Sequence, residues 1–207
     1  MRLVLAAHCH AVEIQGDLVL LDARGGTYLC LAGRTLATLP SDRAAVDRLR
    51  AAGLVEQGTG TDRPPACGAP RAACDLPDGP VTPMGPGVLL DLIIAYGQAS
   101  WAFAWGRFAQ IVRPQGADAA LEDREALLAD VRFFLRWLPW LPFQGRCLKR
   151  SFLLRSFLVW RGRAAPTWVF GVATYPFAAH CWLQWGDCVL DERVGRLARY
   201  APILVVD

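Results

Sequence analysis

Apolar and polar positions change rhythm twice along this 207-residue chain. In residues 1–56 the apolar stretches are short and separated by turn chemistry: Ala11 to Ile14, then Asp17 to Leu21 entered through Gln15-Gly16, then Thr27 to Leu31 after Gly25-Gly26. Two such runs about a Gly-Gly pair predict a β-hairpin. After Gly33 the pattern predicts a short helix over Arg34 to Leu39. A second helix follows Ser41 as N-cap, turns Ala44, Ala45, Leu49 and Ala52 inward, and stops at Gly53 before a returning strand at Leu54-Val55. A unit of this size is marginal alone and better suited to binding than to catalysis.

Residues 57–87 then lose their bulky apolar side chains, while Gly and Pro recur every few positions. That density of breakers predicts a linker. From residue 88 to 207 the pattern turns helical and afterwards strand-like. Helices are predicted over Val88 to Val112, Ala117 to Trp137 and Cys147 to about Arg161, with Pro139 and Pro142 interrupting between the last two. Strands are predicted at Thr167 to Val172, His180 to Trp185, Cys188 to Asp191 and Ile203 to Val206. Helices first and strands after them define an α+β fold class. The aromatic series Trp101, Phe103, Trp105, Phe108, Phe133, Phe134, Trp137 and Trp140 is expected in the core; a groove for a hydrophobic peptide is the sharper alternative.

Composition narrows the chemistry. A net charge of +3 supplies no field for nucleic acid. Lys149 is the single lysine, so Schiff-base chemistry has almost no candidate. The stretch Val88 to Phe108 is apolar but carries Asp91, Gln98 and Arg107, which favours a buried helix over membrane insertion. Seven cysteines, an odd number, and an N-terminus that lacks the pattern of a secretory signal suggest a cytoplasmic protein with reduced thiols. His8 and His10 share a face without a second ligand pair, so no metal site is expected, and Cys67 and Cys74 read as incidental linker residues.

The chemistry that remains centres on Cys147. It sits where a helix should begin, and unpaired N–H groups together with Arg146, Lys149 and Arg150 favour its thiolate. His180 heads HCWLQW, and Gly186-Asp187 suits a type II′ turn into CVLDE. In that register Trp185 faces Cys188, Gln184 faces Val189, Leu183 faces Leu190 and Trp182 faces Asp191. Asp191 then shares a face with His180 as its diagonal neighbour, while Glu192 points away. A thiol, a base and a residue that orients the base are what nucleophilic cysteine catalysis requires, and Cys147, His180 and Asp191 are the candidates. Gln144 is the candidate donor to an oxyanion.

These motifs resemble a known family. RCLKRS at Arg146 to Ser151, the helix ending in WRGR, the strand ending in FGV, then PFAAHCWLQW, VLDE and Tyr200-Ala201-Pro202-Ile203 are similar to the transglutaminase-like leader peptidase of lasso-peptide biosynthesis, a papain/transglutaminase-like cysteine peptidase. That family commonly has an acid where this chain has Gln184. Residues 1–56 are similar to the RiPP recognition element, a small winged-helix-like module that binds precursor leader peptides as an added strand. The resemblance implies leader binding by Thr27, Tyr28, Leu29, Cys30 and Leu31, with Val46, Leu49 and Arg50 on the following helix. Either of the alternating pairs Tyr28/Cys30 and Leu29/Leu31 can face the peptide. It implies a cysteine protease without cofactor that removes the leader from a precursor peptide, beside an ATP-consuming, asparagine-synthetase-like lasso cyclase as partner. The alternatives are a thioester acyltransferase, with an amine in place of water, and a non-catalytic chaperone that presents the precursor.

Overall fold

A computed structural model describes residues 3–57, 71–79, 85–114, 124–142 and 145–207. The N-terminal part contains β1 (Leu3–Leu5), β2 (Cys9–Ile14), β3 (Asp17–Asp22), β4 (Thr27–Leu31), α1 (Arg43–Ala51) and β5 (Val55–Gln57). β2, β3 and β4 form an antiparallel sheet in that order, and β1 pairs with β5. The β2–β3 turn is Gln15-Gly16, both at positive φ, the requirement of a type I′ loop. The expected helix over Arg34 to Leu39 is instead a set of turns leading into a 3₁₀ turn at Leu39–Ser41. Asp42 rather than Ser41 caps α1, its carboxylate accepting from the Ala45 N–H at 3.0 Å. That moves the inward face to Ala45, Val46 and Leu49 and leaves Ala44 and Ala52 exposed.

The C-terminal part runs α2 (Pro86–Trp105), α3 (Phe108–Ile111), α4 (Arg124–Trp137), α5 (Cys147–Trp160), β6 (Thr167–Thr174), β7 (Phe177–Trp185), β8 (Cys188–Val189), α6 (Val194–Leu197) and β9 (Ala201–Val206). Its sheet is antiparallel in the order β8-β7-β6-β9. α5 packs between this sheet and α2, with Phe152 stacked on Trp168 at 6.2 Å and Phe103 6.0 Å from Phe152. On the sheet's other face, Val169, Trp182 and Val189 pack with Leu197 of α6. The mixed helical and sheet architecture agrees with the α+β expectation.

The two parts share one core. Val19 and Leu21 on one face of the N-terminal sheet fall in the same cluster as Phe152, Phe170 and Cys181, while Leu18 and Leu20 on the other face pack under α1. Within the Gly/Pro-rich stretch, residues 71–79 lie along β8, where the Val189 N–H donates to the Cys74 carbonyl at 2.9 Å. Cys74 thus has a place against Cys188, unlike the incidental role expected of it; Cys67 lies outside the described residues.

The helix expected to be buried is buried on one side only. α2 turns Leu92, Ala95 and Ala99 inward, but Trp101 is 71% and Trp105 75% exposed, as is Trp140 at 80%. By length and hydropathy α2 is the one helix among the described residues that could cross a membrane. Asp91 on it pairs with Arg161 at 2.8 Å.

Candidate active site

Cys147 occupies the first turn of α5. Gly145 (φ +71°) and extended Arg146 lead into it, and a Cβ on Gly145 would lie 2.8 Å from the Lys149 Cβ. The approach therefore requires glycine twice, for its backbone angle and for its closeness to the helix. No side chain caps this helix start, so its N–H groups and dipole are available to stabilise a negative charge. α5 lies against β7, which carries His180 and Cys181.

The groups that act on the Cys147 thiol are the Cys181 side chain, the His180 imidazole and the Cys181 backbone N–H. The Cys181 hydrogen bond is the largest influence, and with the histidine it outweighs burial, lowering the Cys147 thiol from 9.0 to about 4. His180 moves the opposite way: its bond to Cys147 comes first, and against burial it raises the imidazole above 6.5. Cys181 stays protonated, raised by the neighbouring thiolate and by its own burial. These shifts favour a thiolate at Cys147 and an imidazolium at His180 beside a protonated Cys181.

The acid beside the histidine is Glu192. Its Oε2 lies 3.2 Å from His180 Nε2, leaving Nδ1 as the ring nitrogen that can serve the sulfur. Glu192 is itself held by Arg196 at 3.2 Å, Arg150 at 3.5 Å and the Arg193 N–H at 3.2 Å. Although burial alone would raise its pKa, these donors and His180 bring it below the usual glutamate value.

Asp191 corrects the strand-based expectation. The type II′ register holds at Trp185↔Cys188 and Gln184↔Val189, with Gly186 at φ +60°, and the Leu190 N–H still bonds the Leu183 carbonyl at 2.9 Å. There the ladder ends. The Leu183 N–H, whose ladder partner would be the Leu190 carbonyl, donates instead to Asp191 Oδ1 at 2.9 Å, and Ser151 Oγ donates to Oδ2 at 2.5 Å. Asp191 is a buried tie between α5 and β7, its pKa raised by burial, and the bend it makes carries Glu192 to the histidine. Arg150 supports the bend by donating to the Asp191 carbonyl at 2.8 Å.

Two aromatic rings flank the imidazole: Tyr200 at 5.4 Å and Trp182 at 6.3 Å. Both need Gly171 on β6, where a Cβ would lie 2.8 Å from the Trp182 ring and 3.0 Å from Tyr200 Cβ. A cavity of about 480 Å³ lined by His180, Gly195, Arg196, Ala198, Arg199 and Tyr200 opens beside the ring.

Of the residues expected to bind a peptide, Thr27 to Leu31 form an edge strand with Thr27, Leu29 and Cys30 exposed. Val46 and Leu49 are corrected: at 6% and 2% exposure they belong to the core under α1, whereas Arg50 is at the surface beside Asp47. Tyr28 points to the C-terminal part, its ring edge-on to Phe177 at 6.3 Å. Gln144 lies outside the described residues. Glu192 and Cys181 escaped the sequence reasoning. Glu192 stands in the motif beside Asp191, but only a break in strand alternation brings it to the site.

No curated protein and no solved structure matches the chain. Residues 88–205, more than half of its length, match the family described as the transglutaminase-like superfamily, and they contain Cys147, His180 and Glu192. Members of that superfamily are usually cysteine hydrolases or transferases, and the chain belongs to it.

Proposed function

We propose that this protein is a cysteine peptidase that holds a lasso-peptide precursor by its leader and cuts the leader from the core. The observation that carries the chemistry is Cys147 at an uncapped helix start, its thiol lowered by Cys181 and His180, with Glu192 3.2 Å from His180. The thiolate attacks the scissile carbonyl, and the imidazolium protonates the departing amine. Neutral His180 then takes a proton from water, which hydrolyses the thioester and regenerates the thiolate. Glu192 holds the imidazole tautomer and balances its charge.

The edge strand β4 supports the leader-binding half of the proposal. Its outer side has no strand partner among the described residues, so an extended leader can pair with it through main-chain hydrogen bonds. The shared core puts that edge on the same body as Cys147, so a captured leader raises the local concentration of the junction. Working beside an asparagine-synthetase-like cyclase in the cytoplasm belongs to the same proposal.

The test is cleavage of a lasso precursor followed by mass spectrometry, with wild type and Cys147→Ala. Release of free leader and core by the wild type alone is the expected result. Processing that survives in Cys147→Ala would leave a presenting chaperone, and an amine adduct in place of the free acid would make the protein an acyltransferase.

A further inference from the structure

We propose that Tyr28, carried by the N-terminal sheet, is a catalytic residue of the peptidase site, its phenol donating a hydrogen bond to the oxyanion formed when Cys147 attacks an acyl carbon. The inference rests on Cys147 being the acylated nucleophile, as proposed above, and goes further by making the N-terminal part a component of the active centre.

Four observations carry it. Tyr28 sits opposite Leu21 in the β3–β4 register, and Leu21 is fully buried in the core shared with the peptidase half, so the Tyr28 side chain rises from the face that meets that half. Its ring is seated edge-on against Phe177 at the start of β7, the strand that continues to His180 and Cys181. Tyr28 and Cys147 pack against the same cluster of buried residues, to which Cys181 belongs. The Tyr28 hydroxyl has no hydrogen-bond partner among the described residues, and its side chain is half-buried. A half-buried phenol with an unused donor, packed on the same cluster as the nucleophile, is poised for an oxygen that arrives with the substrate. Burial, followed by the sulfurs of Cys181 and Cys147, raises its pKa, so it remains a proton donor wherever the thiolate exists.

The step balances without an added reactant. The thiolate pair forms the S–C bond while the carbonyl π pair moves to oxygen, where the phenol bonds it. Collapse of that oxyanion restores C=O and expels the leaving group with its electron pair. Water then releases the acid and returns the thiolate.

The experiment uses the full chain and two small probes. p-Nitrophenyl acetate acylates the thiolate through an oxyanion, read as the nitrophenolate burst. Iodoacetamide alkylates the same sulfur by displacement at carbon, with no oxyanion, read by mass on the Cys147 peptide. Tyr28→Phe keeps the ring against Phe177 and removes only the hydroxyl. The expected result is acylation slowed about 100-fold, the scale for losing one oxyanion donor, with alkylation unchanged. If Tyr28→Phe acylates as fast as the wild type, or if both reactions slow together, the oxyanion role is overturned while Cys147 stands as nucleophile. If the wild type shows no burst beyond Cys147→Ala, the peptidase reading falls and this inference with it, a distinct pattern of results.

Discussion

Glu192 Oε2 lies 3.2 Å from His180 Nε2, while the carboxylate of Asp191, its neighbour in sequence, is spent on Ser151 and the Leu183 N–H. Two adjacent acids therefore have separable roles, which mutation should resolve. Glu192→Ala removes the partner that orients and charges the imidazole, and kcat should fall on the order of 100-fold with little change in melting temperature. Asp191→Ala leaves a buried N–H and a buried hydroxyl without acceptors, at about 1–3 kcal/mol each. A chain of this size loses about 2–4 °C of melting temperature per kcal/mol, so Asp191→Ala should melt several degrees lower. The reverse pattern in kinetics and calorimetry would restore Asp191 as the orienting acid.

The opposite shifts of Cys147 and His180 set a pH profile. With the thiol near about 4 and the imidazole raised above 6.5, kcat/KM should rise through the lower value and fall only once His180 loses its proton. The stability sign follows from the same pair. Between about 4 and 6.5 the unfolded chain holds a thiol and an imidazolium, one proton more than the folded pair, so stability rises with pH. Above 6.5 the unfolded imidazole has lost its proton too, the counts match, and the slope vanishes until His180 in the fold, or the unfolded thiol at 9.0, begins to titrate. Denaturant melts of wild type minus Cys147→Ala across pH should show this rise and plateau. Alkylation of Cys147 at pH 5 should be fast for a cysteine, and a rate that climbs only near pH 8–9 would contradict the thiolate.

Local pattern carried much of this fold into view and then failed where tertiary contacts took over. The β7–β8 turn was legible because Gly186 meets a backbone angle that a two-residue loop demands. Extending alternation past Val189 failed because a side-chain carboxylate displaced a main-chain acceptor, and periodicity has no term for that. Cys147 was legible from its place at a helix start beside basic residues. Cys181 was not, because a cysteine next to the base in a strand should face away from it, yet both residues lower the pKa of Cys147 on α5. The exposure of Trp101 and Trp105 was not legible for another reason: α2 carries apolar residues around most of its circumference, so its sequence does not say which face packs.

Gly171 tests whether the walls of the histidine matter. Ala at this position must push Trp182 or Tyr200 aside, since its Cβ would sit at 2.8 Å and 3.0 Å from them. Overpacking of this kind costs about 1–3 kcal/mol, and here it also tilts the imidazole that both rings flank. Gly171→Ala should therefore lose activity at temperatures where circular dichroism still reports a folded chain. Retention of full kcat in a folded variant would mean that the rings do not orient His180.

Cys181 should tune the nucleophile through its S–H donor. Its hydrogen bond is the leading cause of the low Cys147 pKa, and the His180 contribution is separate. Cys181→Ala removes the thiol donor but keeps the backbone N–H, so the acid limb of Cys147 alkylation should move to higher pH without disappearing. Cys181→Ser restores a donor in place of the thiol and should bring the limb back toward the wild-type position. The readout is the pH of half-maximal alkylation of the Cys147 peptide, which a general loss of packing would not move in this ordered way. An acid limb that stays in place in Cys181→Ala would assign the acidity of Cys147 to His180 and the helix start alone.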